Sequence, residues 1–187
     1  MKKFISIFAV CCSFLFLMVS FPSTSSACSC AEQQSVKEEF KQSKAVFSGK
    51  VIEVKENRRN NGSIVKLVLF EVTETWKGVD ETQIIITTGV SDGDCGIEFK
   101  KGEEYLVYAT ESTMYGENKL VSTICDRTGK LQTLKDDLAF LGEGKSPAQK
   151  VDLTNELEGN HIYLIIVSTV IVMVLIVVFI VQKRKKT

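Results

Sequence analysis

The residues with the most chemical potential are Cys28 and Cys30, separated by Ser29, together with Cys95 and Cys125. Cysteine sulfur offers three chemistries: zinc ligation, thiol exchange or disulfide formation. A four-cysteine zinc site is usually built from C-x-x-C pairs, and none is present. Redox exchange needs exposed thiols of low pKa, which long-range bridges would remove. In an extended segment, side chains at i and i+2 share a face. Cys28 and Cys30 can therefore turn into a domain together while Ser29 is presented outward. A ring closed between Cys28 and Cys30 would be small and strained, so each is expected to reach Cys95 or Cys125, with the pairing open. The chain's single histidine is His161, at the edge of an apolar run. Ser-His and Cys-His nucleophiles and histidine metal sites are thereby excluded. The carboxylate pairs Glu103-Glu104 and Asp136-Asp137 read as solvated surface. The expectation is a protein that is not an enzyme, with no cofactor and no metal of its own.

The two ends set the compartment. Residues 1–27 read as a secretory signal: Lys2 and Lys3, an apolar run from Phe4 to Val19, Pro22, then small residues at Ser25 and Ala27 before the cut. A lipidated Cys28 is the alternative, although Ser25 stands where a lipobox has Leu. Cys11 and Cys12 leave with the signal, so four of the 6 cysteines enter an oxidising compartment, enough for two disulfides. Ile162 to Val181 carries no charge and is long enough to cross about 30 Å of hydrocarbon as a helix. Lys183-Arg184-Lys185-Lys186 follows and marks the cytoplasmic side. The expected organisation is signal 1–27, domain 28–142, flexible stalk 143–160, transmembrane helix 161–182 and basic tail 183–187, with the domain outside the cell membrane. Six of the 23 Lys and Arg lie in the end segments, while all 23 Asp and Glu fall between Glu32 and Glu158. The exposed part is therefore acidic, which argues against nucleic acid as a partner.

The elements that would position the cysteines read as mostly β. Ser35-Val36-Lys37-Glu38 fits a capping box opening a short helix to about Ser43. Strands are expected over 45–54, 64–76, 83–88, 104–110 and 119–124, with a bend or bulge at Gly49 and turns at Asn61-Gly62, Ser91-Asp92-Gly93-Asp94 and Tyr115 to Asn118. Leu131, Leu134, Leu138 and Leu141 recur at helical spacing. Five short strands suggest a closed antiparallel barrel or a sandwich. The stalk is polar and includes Gly144 and Pro147, giving an r.m.s. reach of about 24 Å if flexible.

Cys28-Ser29-Cys30 at a processed N-terminus, Asp94-Cys95-Gly96, the strand Glu104 to Ala109 and Thr123-Ile124-Cys125-Asp126 occur in that order. Together they resemble the N-terminal domain of the tissue inhibitors of metalloproteinases, a netrin-like module. The likeness covers Cys28 to about Gly142. It implies an all-β fold with flanking short helices, built on a five-stranded antiparallel OB-type barrel, here with one C-terminal transmembrane helix. It implies the pairings Cys28–Cys95 and Cys30–Cys125. It also implies a membrane-anchored extracytoplasmic inhibitor of a zinc metallopeptidase. The α-amine and carbonyl of Cys28 would chelate the partner's zinc, and Ser29 would enter its specificity pocket. Cys30, Ala31, Gly93 and Asp94 would be further partner contacts. Ala31-Glu32 stands where animal inhibitors have Val-Pro, Asp94 is acidic where the contact segment is small or apolar, and the third bridge and C-terminal domain are absent. The alternative is a non-inhibitory envelope binding or adhesion module on the same fold, with another envelope protein as partner and Cys28 lipid-modified in one variant.

Overall fold

The computed structural model describes residues 28–30, 32–59, 62–157, 167 and 169–172. Residues 1–27, expected to be a signal, lie outside them with Ala31, Asn61 and His161, as does most of the run Ile162 to Val181. No helix of the described residues is long and apolar enough to cross a membrane.

Helix α1 spans Val36–Gln42. Its start is the capping box read from the sequence: the Glu38 N–H donates to Ser35 Oγ at 3.3 Å, and the Ser35 N–H donates to Glu38 Oε2 at 3.3 Å. Its end is held by Lys77, whose Nζ donates to the carbonyls of Phe40 at 2.8 Å and Lys41 at 3.0 Å. A cation there also meets the negative end of the helix dipole.

The strands are β1 (Ala45–Arg58), β2 (Ile64–Lys77), β3 (Gln83–Thr88), β4 (Glu104–Ser112), β5 (Lys119–Val121) and β6 (Gly129–Lys130). Five of them close a ring, β1-β2-β3-β5-β4, because β1 pairs with both β2 and β4. All these pairings are antiparallel except that of β3 with β5, which is parallel through Thr87 and Val121. The two-residue β6 adds to β4 and is too short to announce itself in sequence. Gly49 sits where the β1–β2 register shifts, and a Cβ there would lie 2.7 Å from the Glu71 carbonyl oxygen. Only a residue without a side chain permits that approach.

The ring interior holds Phe47, Phe70, Phe99 and Tyr105 in successive edge-to-face contacts at centroid distances of 5.5, 5.3 and 4.9 Å. Outside the ring, Val46, Leu106 and Tyr108 face a second apolar cluster supplied by Phe40, Trp76, Leu134 and Leu138. This is why both β1 and β4 carry unbroken apolar runs, Ala45-Val46-Phe47 and Tyr105 to Ala109: each face of the strand is covered. The outer cover is α1 together with a short 3₁₀ turn at Leu131–Thr133 and α2 (Lys135–Leu141).

Residues 143–157 depart from the expected flexible stalk. Strand β2 outruns β3, whose pairing stops at Glu71, so the outward backbone groups further along β2 need partners. The chain after α2 supplies them. Thr75 and Lys145 exchange two N–H···O bonds of 2.8 Å, and the Thr82 N–H donates to the Gln149 carbonyl at 2.8 Å. The Leu153 N–H donates to Gln83 Oε1 at 2.8 Å. Helix α3 (Thr154–Leu157) then ends on a buried Leu157. The segment is a strap, and its polar composition reflects backbone pairing rather than freedom.

Candidate functional site

The turn after β3 is built for close approach. A Cβ on Gly96 would lie 2.3 Å from the Gly89 carbonyl oxygen, and one on Gly89 would lie 2.5 Å from the Asp94 carbonyl oxygen. These two glycines let the chain fold back on itself between β3 and Cys95. Asp94 closes the loop: its carboxylate accepts from the N–H groups of Val90 at 2.8 Å and Ser91 at 2.7 Å. Burial pushes that carboxyl up, but the backbone hydrogen bonds from Val90 and Ser91 outweigh it and hold the group below its ordinary range. Cys95 follows in the left-handed region at φ 63°, a costly conformation for a residue with a side chain.

Cys95 is bonded to Cys28, and Cys30 to Cys125. The bridges close separations of 67 and 95 residues, and chain entropy makes each worth about 4 kcal/mol. They also touch, with Cys28 Sγ 3.7 Å from Cys125 Sγ. The sulfurs of Cys28, Cys30 and Cys125 lie within 4.8 Å of one another. Each belongs to a disulfide, so none offers the thiolate that a metal would bind.

A third tie holds the turn from the other side. Tyr115, in the loop between β4 and β5, donates its hydroxyl to the Asp94 carbonyl at 2.6 Å. Burial, and then the Asp94 charge, push the phenol up to about 12, so it remains a donor at any physiological pH. Cys28, Ser29, Gly93, Asp94 and Tyr115 line an open cleft of about 510 Å³, with Ile64 and Met114 also in its lining. Ser29 and Gly93 are exposed, Cys28 and Asp94 half-buried.

The segment beyond Cys30 is fastened as well. Arg127 Nη1 donates to the Gln34 carbonyl at 3.0 Å, while its Nε and Nη2 form a fork on Asp137 at 2.8 and 2.6 Å. Tyr108 donates its hydroxyl to the same carboxylate at 3.0 Å. Glu39 lies buried beside this group, and desolvation, followed by the Asp126 charge, pushes its carboxyl up to about 7.

Of the residues singled out by sequence, Cys28, Ser29, Gly93, Asp94 and Cys95 are thus brought together, and Cys30 and Cys125 form the adjoining bridge. Ala31 lies outside the described residues. The Asp94 side chain serves its own turn. Sequence reasoning missed Ile64, Met114 and Ile124, large apolar side chains 37%, 55% and 41% exposed. Ile64 and Met114 line the cleft, and the Ile124 N–H donates to the Cys95 carbonyl at 3.0 Å. Their signal was present, since each stands in or beside a turn where an apolar residue has no core to fill. Compared with known proteins, the chain matches no family model and no curated relative.

Proposed function

We propose that the chain is a membrane-anchored extracytoplasmic inhibitor of a zinc metallopeptidase, on an OB-type barrel resembling the N-terminal domain of the tissue inhibitors of metalloproteinases. Signal cleavage after Ala27 would free the α-amine of Cys28. That amine and the Cys28 carbonyl would take the open coordination site of the partner's zinc and displace its catalytic water. An α-amine titrates near about 8, and the metal would draw off the remaining proton. Ser29 would enter the specificity pocket, with Cys30, Ala31 and Gly93 beside it. Ile64, Met114 and Ile124 would supply the apolar rim that such a contact needs.

The observation that carries this reading is the Cys28-Ser29-Cys30 segment, pinned on both sides of one exposed side chain by two touching disulfides. Pre-organisation of this kind lowers the entropy cost of binding. Stability alone would account for the bridges but leaves the apolar rim without a use. The same rim also suits the second reading, a binding module that docks an envelope protein without touching a metal.

The mature protein, titrated against a panel of zinc endopeptidases, separates the two. Inhibition of at least one of them, lost when a single alanine precedes Cys28, is the expected result. No inhibition across the panel would favour the binding module.

A further inference from the structure

At the mouth of the ring, the tip of the β1–β2 hairpin, β5 and α3 enclose a second cleft, of about 660 Å³. Its charged lining is Arg58, Arg59 and Lys119 with Glu111, Glu117 and Glu156. Lys119 is taken up by Glu117 at 3.4 Å. Among the described residues, the ion pairs involve neither Arg58 nor Arg59, and Arg59 Nε is buried with no acceptor. Two adjacent uncompensated guanidiniums are notable in a domain whose overall balance is acidic. Of the cleft's carboxylates, Glu117 is held by Lys119 and Glu111 lies 3.9 Å from Lys44, which leaves Glu156 without an ion pair among the described residues.

The chain's course says what lies in front of them. The strap fixes residues 145–153 to the sheet, and α3 ends on Leu157, 3% exposed. Five residue steps separate Leu157 from Ile162, where the uncharged run begins. Fully extended, they span at most about 18 Å. The cleft that α3 lines is therefore held within that reach of the bilayer if the run is its anchor.

We propose that Arg58 and Arg59 dock on anionic lipid headgroups of the membrane that holds the chain, seating the barrel against the bilayer by its hairpin tip. This rests on the anchored reading above. Phosphate oxygens match the guanidinium fork. The hairpin tip also borders the N-terminal cleft, because Ser63 and Ile64 line it. Docking would therefore bring Ser29 close to the membrane plane, where a membrane-resident partner would meet it.

The test is hydrogen exchange on the full chain in nanodiscs of phosphatidylcholine alone and of phosphatidylcholine with about one third phosphatidylglycerol. Amides of residues 56–59 and 117–120 should exchange about fivefold more slowly in the anionic discs. The difference should shrink at about 0.5 M salt, where screening is strong. It should vanish in the double variant Arg58→Glu, Arg59→Glu, with β4 exchange unchanged as the mark of an intact fold. Equal exchange in both lipids would overturn the docking alone. A chain that does not enter the discs would overturn the anchor and the docking with it. Slowing by inorganic phosphate in phosphatidylcholine discs would assign the arginines to a free anion and overturn the lipid surface.

Discussion

Asp94 and Glu39 are both carboxylates near the N-terminal segment, and their surroundings drive them in opposite directions. Asp94 accepts two backbone N–H groups, so its charged form is favoured in the folded state. Its contribution is present above the unfolded pKa and is lost as pH falls through the lower folded value. Asp94→Ala leaves those N–H groups without a partner and should cost about 1–2 kcal/mol in urea denaturation at neutral pH. Glu39 is the reverse case. Burial, with Asp126 and Asp137 adding to it and Arg127 opposing it, lifts its carboxyl to about 7. The folded state therefore holds this proton more tightly than the unfolded chain, and stability falls as pH rises from about 4.5 to about 7. Glu39→Gln keeps the neutral shape. Its stability relative to the parent should rise across that window by up to about 3 kcal/mol and stay level above it. A parallel pH profile for the two proteins would mean that folding leaves the proton affinity of Glu39 unchanged.

Among the elements, those that announce themselves in sequence are the ones whose pattern is local. The capping box at Ser35 and Glu38 closes within three residues. Gly49 and the leucine spacing from Leu131 to Leu141 are signals contained in one segment, although the groups they meet, Glu71 for Gly49 and Tyr108 for the leucines, are distant. The apolar runs of β1 and β4 were equally plain, though their cause, a cover on both faces, was not. Asp94 was legible as part of a turn but not as its cap, because the Val90 and Ser91 N–H groups face it only once Gly89 and Gly96 have brought the loop together. The strap at 143–157 was illegible for a stronger reason. The bonds that fix residues 145–153 to the sheet use strap backbone groups and partners far away in sequence, Thr75, Thr82 and Gln83, and Gly144, Pro147 and Lys150 carry no periodicity that betrays a partner strand.

Arg127 is the joint between these elements, tying the start of α1 to α2 through Gln34 and Asp137. Asp137 is 1% exposed, so removing its partner strands a buried charge. Arg127→Met should destabilise the fold by about 3 kcal/mol or more, and Asp137→Leu added to it should restore much of the loss. Equilibrium unfolding of the single and double variants reads this directly. If the double variant proves no more stable than Arg127→Met, the joint acts through something other than charge.

At the scale of the whole molecule, two long disulfides and a strap join the first and last parts of the domain to the same ring. Each bridge contributes about 4 kcal/mol in the chain-entropy account, against a net stability of about 5–15 kcal/mol for a domain. The paired replacement Cys30→Ala, Cys125→Ala should therefore lower the melting temperature by many degrees. It should also free the segment before α1, while the Cys28–Cys95 bridge still holds Cys28 at the cleft. Inhibition should weaken in this variant through faster dissociation, since a looser wedge loses pre-organisation more than it loses contacts. Unchanged dissociation in a variant that remains folded at the assay temperature would separate the second bridge from the binding role.

On the proposed reading, the α-amine of Cys28 becomes a ligand of the partner's metal. Cobalt substituted for zinc in an inhibited endopeptidase makes that bond visible, because the d–d absorption of cobalt changes when a water ligand gives way to nitrogen. Addition of the mature protein should shift the cobalt bands at one equivalent. The same protein acetylated at Cys28, with both disulfides intact, should leave them where they were. A shift of equal size with the acetylated protein, or tight inhibition with no shift at all, would contradict the account.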